Sequence, residues 1–116
     1  MFAQTPAPPY YAVIFTSQRT EGDDGYVDMA ERMVTLAAQQ KGFLGVESVR
    51  GADGVGITVS YWANEDAIAA WHNHAEHSLA REQGRKSWYG QFNLRVAKVE
   101  RAYGQPSRSM IAKDTP

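Results

Sequence analysis

The residues best suited to do chemistry crowd into one stretch of the chain. His72, His74 and His77 are followed closely by Arg81, Arg85 and Trp88. On a continuous helix, His74, His77, Arg81, Arg85 and Trp88 form one stripe, at offsets of three, seven, eleven and fourteen residues. From such a stripe a histidine can take a hydroxyl proton near neutral pH, and Arg81 can hold the oxyanion left behind. His77 and Arg81 are therefore the candidate catalytic pair. Trp62, Trp71, His74 and Trp88 are the candidate substrate-binding residues, flat rings that suit a flat ligand. The same stripe serves equally well as the wet side of a helix, with Ala75 and Leu79 turned inward. The tryptophans serve equally well as filler between helix and sheet or between subunits. No metal site is expected. His72 and His74 point to nearly opposite sides of a helix, which leaves only His74 and His77 to share an ion, and no carboxylate is placed to complete the shell. No glycine-rich phosphate loop and no Ser/His/Asp spacing is present.

The rest of the chain bounds what those residues can serve. Its 116 residues suffice for one ordinary domain, and 43% hydrophobic with 22% charged residues is a globular composition. Twelve Lys and Arg balance 13 Asp and Glu, a net charge of -1. That gives no global field to hold nucleic acid, and Arg81, Arg85 and Lys86 read as a solvated helix face. The chain has no cysteine, so disulfides, thiolate metal sites and cysteine nucleophiles are excluded and the redox compartment stays open. Residues 1–9 lack a secretory pattern, and no apolar run approaches the roughly 20 residues of a membrane span, so the expectation is a cytoplasmic protein without a membrane partner.

Six elements follow from the pattern. Proline-bearing ends, 1–9 and 104–116, read as arms flanking a folded unit at 10–103. Tyr10 to Gln18 is short and rich in aromatic and β-branched residues, as a buried strand is. From Tyr26 the period changes, with Tyr26, Met29, Ala30, Met33, Leu36 and Ala37 on one helical face until Lys41-Gly42. Phe43 to Arg50 and Val55 to Trp62 form a hairpin around Asp53-Gly54. Asn64 caps a second helix that carries Ile68, Trp71, Ala75 and Leu79, with Gly84 a weak point in its later part. Phe92 to Tyr103 is the last strand, and its alternation slips between Val96 and Val99 as if one extra residue were accommodated.

The order βαββαβ predicts an α+β, ferredoxin-like fold, a four-stranded antiparallel sheet with both helices on one face. Tyr10 to Phe15 and Ile57 to Trp62 are too apolar for a sheet with a solvated second face. A second copy is the expected cover, giving a homodimer through the sheet with a barrel-like interior.

The stretch ITVSYWANEDAIAAWHNHAEHSLAREQGRKSWYGQF, together with KGFLGVES and LRVAKVERAY, resembles the antibiotic biosynthesis monooxygenase (ABM) superfamily. In that group a strand ends on Trp, here Trp62, an acidic helix start follows, and a second Trp, here Trp71, lies on the helix. The resemblance implies a dimeric α+β barrel. It also implies a cofactor-independent monooxygenase acting on a small aromatic or quinol-like compound, or else a haem-binding or haem-degrading protein, or a non-catalytic dimeric ligand-binding or stress-related module. The haem-degrading branch has an Asn on the first strand and a His ten residues after the helix Trp. Here the latter position is Arg81, and no Asn precedes Asn64. The cofactor-free branch has an Asn four residues before the strand Trp and a Tyr six residues after it, and these positions are Thr58 and Ile68. No cofactor is therefore expected, with haem the one candidate to test.

Overall fold

The computed structural model describes residues 2–20, 26–83 and 89–105, with side chains undescribed at 26, 27, 29, 76–83 and 89. The elements are β1 (Tyr10–Arg19), α1 (Tyr26–Ala38), β2 (Phe43–Arg50), β3 (Val55–Trp62), α2 (Glu65–Gln83) and β4 (Tyr89–Val99). They build one antiparallel sheet of order β2-β3-β1-β4, the ferredoxin-like arrangement that the element order predicts.

Local chemistry explains the boundaries. Gly54 closes the β2–β3 hairpin at φ 87°, a conformation that a side chain resists, and the Asp53 carboxylate accepts from the Val55 amide at 3.0 Å. Asn64 caps α2, its side-chain oxygen accepting from the Ala67 amide at 2.8 Å, with Glu65 and Asp66 in the positive first turn.

The last strand departs from expectation. It starts at Tyr89 rather than Phe92 and ends at Val99 rather than Tyr103. Its register against β1 is regular from Tyr10↔Val99 to Gln18↔Gln91, so no extra residue sits between Val96 and Val99, and the irregularity falls at Gln18/Arg19. Lys98 stands on the helix side with Val96, and Val99 on the second face beside Tyr10, so the two valines fall on opposite faces with no bulge between them. A second irregularity falls at Phe43/Gly45 in β2.

Directly paired residues of antiparallel strands share a face. Tyr11, Val13, Phe15 and Ser17 of β1 therefore lie with Trp62, Ser60, Thr58 and Gly56 of β3 and with Lys98, Val96, Leu94 and Phe92 of β4. This is the helix side. Val13, Trp62 and Ala37 form its buried cluster, backed by Phe43, Ala67, Ile68 and Trp71. The second face carries Tyr10, Ala12, Ile14, Tyr61, Val59, Ile57, Glu47 and Val49. Residues of the N-terminal arm also lie there, with the Ala3 amide donating to Glu47 Oε2 at 2.9 Å and the Thr5 hydroxyl 2.9 Å from that of Tyr10. Among the described residues, no helix is long and apolar enough to cross a membrane.

Candidate functional site

Trp62 ends β3 with its side chain fully buried, 0% exposed. Its indole nitrogen donates to Ser60 Oγ at 2.9 Å, which satisfies the one polar atom a buried tryptophan must provide for. Phe43 meets it edge-on at 5.4 Å between centroids, and Trp71 of α2 stacks on it at 6.0 Å with planes 23° apart. His74, one turn on, stacks on Trp71 at 5.7 Å and 30°. A column of rings thus runs from the core outward, from Phe43 through Trp62 and half-buried Trp71 to exposed His74.

The structure brings together three of the residues singled out from sequence, Trp62, Trp71 and His74. Helix α2 continues through His77 and Arg81, whose side chains lie outside the described part, and Trp88 lies outside the described residues. His72 is exposed, and among the described residues no three potential ligand side chains converge as a metal set.

Sequence reasoning missed the floor beside the column. Among the described residues, helix α1 packs chiefly on β2 and α2 on β3, and the helix side of β4 stays largely exposed. Phe92, Leu94 and Val96 are exposed there, Phe92 by 56%. The ring of Phe15 lies 5.6 Å from that of Phe92, a tilted pair. Phe15 is four residues along β1 from Tyr11, the partner of Trp62, a distance of about 13 Å at the usual strand rise. A ring system of that length spans from the Trp71 column to the Phe15–Phe92 pair.

The floor is polar on its other half. Ser48 and Thr58 pair hydroxyl to hydroxyl at 2.7 Å, in the same row as Phe15 and Leu94. In the next row the Arg50 guanidinium lies across Gly56, donating to Ser17 Oγ at 2.8 Å and to the Gly54 carbonyl. Ser17 is buried and takes part of this tie, which fastens the hairpin turn to β1. Where the strands end, a shallow open depression of about 180 Å³ is lined by Ser17, Gln18, Val55, Gln91 and Phe92 among others, below the 300 Å³ or so of a ligand pocket.

On the second face, Tyr61 donates to Glu47 Oε1 at 2.7 Å. That hydrogen bond, followed by the one from the Ala3 amide, holds the Glu47 carboxyl below its ordinary range, while partial burial and then the carboxylate push the Tyr61 hydroxyl up to about 12.

A single four-stranded antiparallel sheet with its two helices, and a ring column between helix and strand, defines an α+β domain of the ferredoxin-like class. The chain belongs to the antibiotic biosynthesis monooxygenase family, whose model matches residues 9–83. A Bacillus subtilis protein, the uncharacterized YqjZ, is 63% identical over 99 residues, covering 85% of this chain and 87% of its own. The jasmonate monooxygenase ABM of Pyricularia oryzae is 30% identical over 94 residues, covering 77% of this chain. This chain spans only 43% of that protein's length. Among solved structures, SnoaB, a cofactor-independent oxygenase from Streptomyces nogalater, superposes with a TM-score of 0.67 at 12% identity, over 84% of this chain and 100% of its own. That likeness is one of fold.

Proposed function

We propose that this protein is a cofactor-independent monooxygenase acting on a small aromatic or quinol-like molecule. The observation that carries the reading is the open apolar floor of Phe15, Phe92, Leu94 and Val96 beside the Trp71–His74 stack. A flat, largely apolar ring system lies on such a floor by burying surface, and the Ser48–Thr58 hydroxyls offer its oxygen atoms hydrogen bonds. Trp62 serves as the backing of the column, and Trp88 as a further contact. His77 takes a phenolic proton and Arg81 stabilises the oxyanion, whose charge delocalises onto ring carbon. That carbon reacts with molecular oxygen. One oxygen atom becomes a carbonyl on the substrate, the other leaves as water, and the substrate's own two hydrogens supply the electrons and protons.

The monooxygenase activity that names the Pyricularia relative favours oxygenation over ligand carriage, and the fold shared with SnoaB is compatible with it. Haem fits less well. The position expected to hold an iron ligand is Arg81, which cannot ligate. We assign the working unit to residues 10–103, with 1–9 and 104–116 as flanking arms, place the protein in the cytoplasm, and read the second sheet face as a homodimer contact. Its support is the exposed apolar strip of Val49, Val55 and Ile57 on that face.

Oxygen uptake with a panel of phenols, quinols and jasmonate tests the reading. Turnover of at least one substrate is expected, lowered about 100-fold or more by His77→Ala or Arg81→Ala. Tight binding with no uptake across the panel would instead favour a non-catalytic ligand-binding module, and a saturable Soret shift on haem titration would favour the haem reading.

A further inference from the structure

The arm at the N-terminus is seated on the sheet by features built to receive it. Gly45 is one. A β-carbon there would stand 2.9 Å from the Ala3 side chain, so only glycine lets the arm lie this close to β2. Glu47 is the second, accepting from the Ala3 amide with one carboxylate oxygen and from Tyr61 with the other. The Thr5–Tyr10 hydroxyl pair is the third. Seated in this way, the arm covers the part of the second face around Gly45 and Glu47. It leaves bare the strip of Val49, Ile57 and Val55 two residues further along β2, with Val49 70% exposed. The residue next to the seat is Phe2, a large apolar ring 83% exposed.

The chain therefore carries an exposed aromatic ring next to an anchored arm, and a bare apolar strip on the face to which that arm is anchored. A two-fold contact needs this self-complementarity, because what one copy projects the other must receive, and the contact forms twice. We infer that residues 2–5 are an interface element, in which Phe2 of each subunit covers the Val49–Ile57–Val55 strip of a second copy of this chain. The inference rests on the homodimer reading above and adds the arm to it.

Sedimentation equilibrium of the full chain and its variants tests it. Wild type is expected to dimerise at micromolar concentration. Phe2→Ser removes the projecting ring and Gly45→Ala unseats the arm, and each is expected to raise the dimer dissociation constant at least tenfold. Circular dichroism of Phe2→Ser should be unchanged, since Phe2 is exposed in the single subunit. A wild-type dimer that Phe2→Ser leaves as tight as before overturns the arm's role and leaves the sheet dimer standing. A wild-type chain that stays monomeric overturns both, and gives the strip to another occupant.

Discussion

The indole of Trp71 lies over that of Trp62 with ring centroids 6.0 Å apart and planes 23° from parallel. One ring is fully buried and the other half-exposed, so the pair ties the wall of the candidate site to the centre of the core. Trp62→Ala leaves a cavity under α2 and should cost about 3–5 kcal/mol. Trp71→Ala removes a partly exposed ring and should cost less, while weakening ligand binding. Urea unfolding of both variants, with ligand titration of Trp71→Ala, checks this, and equal stability losses would contradict the geometry.

The floor can be separated from the fold. Phe92 is 56% exposed and meets Phe15 in a tilted ring pair, so Phe92→Ser should cost about 1 kcal/mol, well short of a core substitution. Affinity for a phenolic or quinol ligand should nevertheless fall about tenfold, the worth of roughly 1.4 kcal/mol of lost contact. Calorimetric titration beside thermal melting reads both quantities on the same preparation.

Stability should depend on pH at both extremes through Glu47 and Tyr61. The Glu47 carboxyl is held below its ordinary value by hydrogen bonds to its charged form, so its contribution is complete above the ordinary carboxylate range and is lost as pH falls through the depressed value. The Tyr61 hydroxyl is raised from 10 to about 12, so its contribution is complete below pH 10 and lost as pH rises toward 12. Tyr61→Phe should abolish the alkaline loss attributable to this residue and leave Glu47 with one donor fewer. Melting temperatures from pH 8 to 12 for wild type and variant give the comparison.

Removing a helix cap gives a simpler expectation. Asn64→Ala takes away the acceptor for the Ala67 amide and should destabilise by about 1 kcal/mol, while Asn64→Asp should restore it.

What the sequence disclosed follows from where its pattern was one-sided. The β2–β3 hairpin was legible to the residue because turn-forming Asp53-Gly54 separates two clear strand runs, and the α2 start was legible because Asn64 precedes two acids. The ends of β4 were not, since its alternation is clean only from Phe92 to Val96. Gly90 and Gln91 before it give no strand signal, and Ala97 and Lys98 after it reverse the pattern. Apolar at nearly every position from Tyr10 to Phe15, β1 could not reveal that Phe15 faces the helix side while Ile14 faces away. The ring column was half legible: the residue types were evident, and the order Trp62, Trp71, His74 needed the fold. The arm's seat was hidden, because it is made of a backbone amide, a missing side chain at Gly45 and a carboxylate 44 residues away from its donor.

The last strand of the sheet has a further consequence for how this chain behaves in a crowded solution. Among the described residues β4 is the terminal strand in the order, and its outer backbone ladder pairs with no other strand, an invitation to stacking by any extended peptide. Arg95 and Lys98 point to opposite sides of it. Any chain that zipped onto this margin would have to desolvate a cation above and another beneath, so the pair acts as a gatekeeper against fibre growth. The protein can in this way keep Phe92, Leu94 and Val96 exposed on the same strand without becoming a template for aggregation.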